Sequence, residues 1–93
     1  MNPADVLNQG MATFIDRAKT HGDYRDSWSA IAGVWSDYLT LKNGVRVELN
    51  SRDALHLMAL MKVFREAAGG PNFDNPLDAM TYEAMAATVN ENP

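Results

Sequence analysis

Residues 50–70 read NSRDALHLMALMKVFREAAGG and include the longest strongly apolar run of the chain. Asn50 and Asp53 are three positions apart, so the Asn side chain can accept from the first free N–H groups of a helix while the Asp side chain reaches back to the cap. Residues 69–71, Gly-Gly-Pro, cannot continue a helix. The segment therefore predicts a helix over about 51–67.

The apolar residues of this helix are not confined to one narrow stripe. With 100° between successive positions, one broad face carries Leu57, Leu60, Met61 and Phe64. The opposite face carries Arg52, His56, Lys62 and Glu66, interrupted by Leu55, Ala59 and Val63. We expect this helix either to be buried on nearly all sides as the centre of a bundle or to contact a second molecule.

The same capping pattern occurs three more times, as Asn2/Asp5, Asp23/Asp26 and Asn75/Asp78. Pro3 and Pro76 follow their caps at the first helical position, where the missing N–H costs nothing. With turn signals at Gly22 and Gly44, the pattern predicts four helices, at about 3–19, 24–41, 51–67 and 76–89. The expected fold is a single all-α domain over 1–93 that resembles a four-helix bundle.

The second predicted helix has the clearest apolar stripe, formed by Trp28, Ile31, Trp35 and Leu39. We expect this stripe, including both tryptophans, to face the core. Residues 45–49 alternate like a short strand but have no partner strand. They predict an extended connector, although two copies in a dimer could pair through it.

The composition is that of one ordered domain. Of 93 residues, 46% are apolar and 22% charged, and a chain this short gains stability from oligomerisation, most simply as a dimer. The net charge of −4, with eight scattered basic residues and no cysteine, argues against direct nucleic-acid binding and excludes disulfides. With no apolar run of bilayer length and no signal-peptide pattern, we expect a cytoplasmic protein without membrane contact.

Asp53 and His56 form the most suggestive polar pair, because residues three apart share one side of a helix. The pair suits one edge of a metal site or an oriented general base. The alternative is a helix cap beside a partly exposed histidine. The chain has no H-E-x-x-H motif, Walker-type loop or nucleophile elbow, so we expect no catalytic residues, no metal and no cofactor.

Other polar positions also have two interpretations. His21, beside Gly22, either complements the dipole at a helix C-terminus or donates to an anionic ligand. Lys62 either extends to solvent or pairs with a phosphate or with a carboxylate of another helix. The full set of candidate ligand-binding residues is His21, Asp23, Asp53, His56, Lys62, Asp78 and Tyr82.

Several motifs of the chain occur in a recognisable order. They are Arg17-x-x-x-His21-Gly22-Asp23, Ile31-Ala32-Gly33-Val34-Trp35-Ser36-Asp37-Tyr38-Leu39, Asp53-x-x-x-Leu57-Met58-x-Leu60-x-Lys62-Val63-x-Arg65 and Asp78-x-x-x-Tyr82. In order and spacing they resemble a family of small phage and prophage proteins of unknown function. That family looks distantly similar to MazG-type helical nucleotide pyrophosphohydrolases, which hold magnesium with two acidic pairs. The similarity implies Mg²⁺ on Asp53 and Asp78 with Lys62 near phosphate, although the chain lacks a Glu-x-x-Glu pair.

These observations favour a phage-type accessory protein that binds a protein partner or a small ligand without catalysis, in the cytoplasm of a host cell. An inhibitor of a host defence system is the most concrete form of this hypothesis. The alternatives are a reduced MazG-like metal-dependent pyrophosphohydrolase or nucleotide-binding protein, and a component of virion assembly.

Overall fold

The computed structural model describes residues 2–90, apart from the side chain of His21. Within this range the chain forms four helices: α1 (Pro3–His21), α2 (Tyr24–Asn43), α3 (Ser51–Gly69) and α4 (Asp74–Thr88). The rest of residues 2–90 contains no strand, so the all-α prediction is confirmed. The first three helices extend about two residues beyond their predicted C-terminal ends.

Two of the predicted capping boxes are complete. The Asp53 N–H donates to Asn50 Oδ1 over 2.9 Å, and the Asn50 N–H donates to Asp53 Oδ2 over 3.0 Å. The same reciprocal pair joins Asn2 and Asp5. At α2 the Asp23 carboxylate instead accepts from the Arg25 N–H over 2.9 Å. Local sequence therefore determines where these three helices begin.

The predicted start of α4 is wrong. The helix begins at Asp74, whose N–H donates to Asn72 Oδ1, and its N-cap residue makes no side-chain cap. Asn75, the expected cap, donates instead to Glu66 Oε2 of α3 over 3.2 Å. A neighbouring helix offers Asn75 a partner that an isolated chain lacks, and the tertiary hydrogen bond replaces the local cap.

Polar pairs along α3 and α4 show that the two helices run antiparallel. Arg52 Nε donates to the Ala86 carbonyl, His56 pairs with Glu83, and Lys62 pairs with Asp78. Helix α3 also packs against α2, whereas α1 packs mainly against α4. Gly10 permits that last approach, because a Cβ at this position would overlap the Met80 methyl group. The result is a bundle centred on the α3/α4 pair.

The connector between α2 and α3 is extended and hydrogen-bonds to hydroxyl groups of α2. The Leu49 N–H donates to Ser36 Oγ over 2.8 Å, and the Val47 N–H donates to Thr40 Oγ1 over 3.0 Å. Ser36 is buried and its hydroxyl also contacts the Ala32 carbonyl. Hydroxyl groups of α2 thus accept hydrogen bonds from backbone N–H groups of the connector, in place of a partner strand.

The core consists mainly of small side chains, and Leu55 is the one large side chain that is fully buried within residues 2–90. The other buried apolar residues are Ala32, Ala54, Ala59, Leu77, Ala86 and Val89. The prediction that α3 is buried on nearly all sides is wrong for a single chain, because Leu57, Leu60 and Phe64 are exposed. Helices α2 and α4 pack against the side of α3 that carries Leu55 and Ala59. Lys62 of α3 forms its ion pair with Asp78 of α4 there. Trp28 and Trp35 are half-buried, and Trp28 packs against the buried cluster of Leu55, Ala86 and Val89.

Candidate functional site

A groove of about 520 Å³ lies where α1, α2 and α4 meet, beside the turn between α1 and α2. Its large apolar lining residues are Phe14, Tyr24, Trp28, Ile31, Tyr82 and Met85, and Ala18 and Gly22 complete the apolar part. Its polar lining residues are Arg17, Asp23, Arg25, Ser27, Asp78 and Thr81. The groove has the size and mixed chemistry of a small-ligand site.

Edge-to-face contacts hold the aromatic rings of this groove. The Trp28 and Tyr82 ring centroids are 5.8 Å apart with planes at 85°, and Phe14 packs against Tyr24 at 5.8 Å and 75°. Trp28 also meets Trp35 at 6.4 Å. The Tyr24 hydroxyl lies 2.8 Å from Thr88 Oγ1, which ties α2 to the end of α4. These contacts fix the ring orientations, so the apolar wall is formed before any ligand enters.

Arg25 supplies the cationic part of the wall. Its guanidinium carbon lies 4.8 Å from the centroid of the Tyr24 ring, and its NH1 group lies 3.4 Å from Asp23 Oδ1. Its Nε is buried and has no hydrogen-bond partner within the part of the chain that the structure describes. A buried donor without an acceptor is costly. A ligand oxygen would remove that cost after a shift of the Arg25 side chain, because the nitrogen itself is enclosed.

Asp78 borders the groove but already has a strong partner. Its Oδ2 lies 2.9 Å from Lys62 Nζ of α3, and the two side chains are only 19% and 15% exposed. Lys62 therefore has a cross-helix carboxylate as its partner, one of the possibilities that its sequence context left open. Tyr82 lies one turn farther along α4, on the aromatic wall.

The groove brings together Asp23, Asp78 and Tyr82 from the candidate set, with Lys62 linked through Asp78. His21 ends α1 next to Gly22, a residue of the groove, but its side chain lies outside the described part of the structure.

Asp53 and His56 lie elsewhere. Asp53 caps α3, whereas His56 Nδ1 lies 2.8 Å from Glu83 Oε1 on an exposed side of the α3/α4 pair.

The structure does not bring Asp53 and Asp78 together. Arg52 contacts Ala86, so Asp53 is level with a part of α4 roughly eight residues, or about 12 Å, from Asp78. Among the described residues no group of three or more His, Asp or Glu side chains is placed to hold a metal ion. The described helices include none long and apolar enough to cross a membrane.

Sequence reasoning missed Phe14, Tyr24, Arg25 and Trp28 as groove residues. It assigned Trp28 to the core because a helical aromatic stripe usually faces inward. Their position in the sequence could have identified them, because all four lie within three helical turns of Gly22. The ends of α1 and α2 diverge at this turn. A divergence of this kind leaves aromatic side chains only partly covered.

One comparison with known proteins places the chain in a family. A family model described as a domain of unknown function, DUF6378, matches residues 5–90. No curated protein and no solved structure matches the chain significantly. Because the family model covers nearly the whole sequence, the chain belongs to the DUF6378 family.

Proposed function

We propose that this protein is a small accessory protein that acts by binding, without catalysis, and that the groove between α1, α2 and α4 is its binding site. The observation that carries the proposal is the combination of a fixed aromatic wall with the buried, unpartnered Nε of Arg25. The ligand that fits is a small molecule, or an exposed group of a partner protein, with a flat apolar part and an anionic oxygen.

The contacts that the acidic residues near the groove already make support a function without turnover. Asp23 accepts from the backbone of α2 and contacts Arg25, and Asp78 pairs with Lys62. A carboxylate that acts as a general base must have an oxygen within hydrogen-bond reach of the substrate proton. The oxygens of Asp23 and Asp78 are instead engaged by the protein's own cap and ion pair, which supports a site that binds a ligand.

The resemblance to phage proteins supports a biological setting for this binding. The motif residues Trp35, Lys62 and Tyr82 recur in that resemblance at matching spacing. We therefore place the proposed activity in the cytoplasm of a host cell, and a component of a host defence system is the partner class that we favour.

The proposal can be tested with anilinonaphthalenesulfonate, a probe that combines flat apolar rings with an anion. We expect binding to be seen as energy transfer from Trp28 in a Trp35→Phe background. Ala18→Phe should fill the groove and abolish the signal, since Ala18 is one of its lining residues. Ala12→Phe is the matched control, because Ala12 is exposed on the same helix and outside the groove.

Arg25→Gln should weaken probe binding about tenfold or more, the usual effect of losing a hydrogen bond to a charged group. Arg65→Gln, at an exposed arginine of α3 outside this groove, should have no effect. Probe binding that survives both Ala18→Phe and Arg25→Gln would refute the assignment of the groove. Magnesium-dependent hydrolysis of a nucleoside triphosphate would refute the non-catalytic function.

A further inference from the structure

One side of α3 is apolar and uncovered. Leu57, Leu60, Val63 and Phe64 are 45%, 62%, 57% and 69% exposed. The opposite side of the helix carries Leu55 and Ala59, which are buried against its neighbours. The largest side chains of the central helix thus face away from its own bundle.

This α3 face, defined by Leu57, Leu60 and Phe64, has the geometry of a helix–helix contact. Leu57, Leu60 and Phe64 follow the three- and four-residue spacing of a packing seam, and two helical turns, about 10 Å, separate the first from the last. None of the three carries a charge. The ion pair of His56 and Glu83 lies at its border.

The chain as a whole exposes more surface than a folded monomer of its mass. Its accessible area is 6341 Å², whereas about 5,350 Å² is typical for a monomer of 10.3 kDa. Its radius of gyration is 14.7 Å, against about 12 Å for a compact domain of this length. This excess of roughly 1,000 Å² is a property of the whole chain, of which the α3 face is one part. A stable interface takes about 800 Å² from each partner, so the chain has enough uncovered area to form one.

We infer that the α3 face binds the same face of a second copy of this chain, forming a twofold symmetric dimer. The small core leaves each chain with little buried apolar area. A second copy of the chain can cover the α3 face, and an identical chain is present wherever the protein is made. The uncharged face also keeps the net charge of −4 away from the contact.

The exposed apolar residues of α2 fit a dimer contact less well. Val34, Tyr38 and Leu41 are exposed, but Asp37 lies between Val34 and Tyr38 in the chain and pairs with Arg46 over 3.1 Å. Arg46 donates hydrogen bonds to the carboxylates of Glu48 and Asp37, and these bonds raise the pKa of Arg46. A dimer contact on α2 would have to desolvate or break the Arg46–Asp37 ion pair. The exposed apolar residues of α2 therefore serve as a control surface for the α3 face.

Sedimentation equilibrium of the full chain tests the inference. We expect the wild type to have twice the monomer mass of 10.3 kDa at micromolar concentration, and Leu60→Glu to have the monomer mass. Val34→Glu, an equally exposed position on α2, should remain dimeric. A monomeric wild type, or a dimer that Val34→Glu dissociates and Leu60→Glu does not, would overturn the inference.

Cysteine cross-linking keeps the test decisive if Leu60→Glu fails to fold. The chain has no cysteine, so a single introduced thiol can form a disulfide only between copies. Position 60 lies near the middle of the α3 face, close to the expected twofold axis, where a residue meets its own copy. Leu60→Cys should cross-link rapidly under mild oxidation and Val34→Cys should not; equal rates for the two variants would exclude this interface.

Discussion

Lys62 Nζ lies 2.9 Å from Asp78 Oδ2, and the pair is largely enclosed between α3 and α4. It links the central helix of the fold to the edge of the candidate groove. The Arg46–Asp37 pair is far more exposed, with side chains that are 54% and 72% accessible. Loss of the Lys62–Asp78 pair should therefore affect both the packing of α3 on α4 and the edge of the groove.

Asp78→Asn should destabilise the fold by about 2–3 kcal/mol, because it leaves a mostly buried ammonium without its counter-charge. Asp37→Asn, which breaks an exposed pair, should cost less than about 1 kcal/mol. Urea unfolding followed by circular dichroism measures both values. Equal losses for the two variants would show that enclosure of the Lys62–Asp78 pair has no energetic consequence.

Asp53→Asn distinguishes a helix cap from a metal ligand. Loss of the charged cap at the N-terminus of α3 should cost about 0.5–1 kcal/mol. We expect the same decrease in melting temperature in magnesium and in EDTA, since Asp53 Oδ2 accepts from the Asn50 N–H. A magnesium-dependent rise in the wild-type melting temperature that Asp53→Asn removes would instead support the MazG-like alternative.

Gly10 and Gly33 form a matched pair of helical glycines. A Cβ at Gly33 meets no atom within 4 Å, so Gly33→Ala should stabilise the protein by about 0.5–1 kcal/mol through helix propensity. Gly10→Ala should gain less, because the new methyl must displace the end of the Met80 side chain. Gly10→Val should cost about 1–3 kcal/mol by overpacking. Thermal unfolding ranks the three variants, and a stabilising Gly10→Val would mean that α1 does not approach α4 this closely.

Ser36→Ala should destabilise the protein by about 1–3 kcal/mol, since it leaves the Leu49 N–H without its acceptor. Ser29→Ala, at an exposed position of the same helix, should be neutral or slightly stabilising because alanine is the better helix former. Chemical denaturation provides the comparison. Two near-neutral variants would indicate that the connector does not depend on its hydroxyl partner.

Sequence could predict the helices because their start signals are local. The Asn50/Asp53 box needs only four consecutive residues, and it forms as expected. The face of α3 that is buried could not be predicted, because burial depends on which helix supplies a partner. The sequence leaves two possibilities open for Lys62, solvent or an anionic partner, and two for the face of Phe64, the core or a second molecule. In the fold Lys62 pairs with Asp78 and is enclosed, whereas Phe64 is exposed in the single chain.

The candidate site was only partly predictable for the same reason. Asp78 and Tyr82 are one turn apart on α4, so their shared position follows from helical spacing. Trp28 reaches Tyr82 only through the packing of α2 beside α4, and no local pattern encodes that distance. The role of Arg25 depends on a buried nitrogen that lacks a partner, which is a property of the folded chain alone.

The weak packing of α1 on the rest of the bundle affects how a ligand can enter and leave the groove. Helix α1 packs mainly on α4 and meets α2 through the Phe14–Tyr24 contact, beyond the turn at Gly22. It can therefore open as a separate unit at lower free energy than global unfolding, so its amide hydrogens should exchange with solvent faster than those of α3. An occupant held between α1 and α2 would slow that exchange, which makes the protection of α1 amides a direct report of groove occupancy.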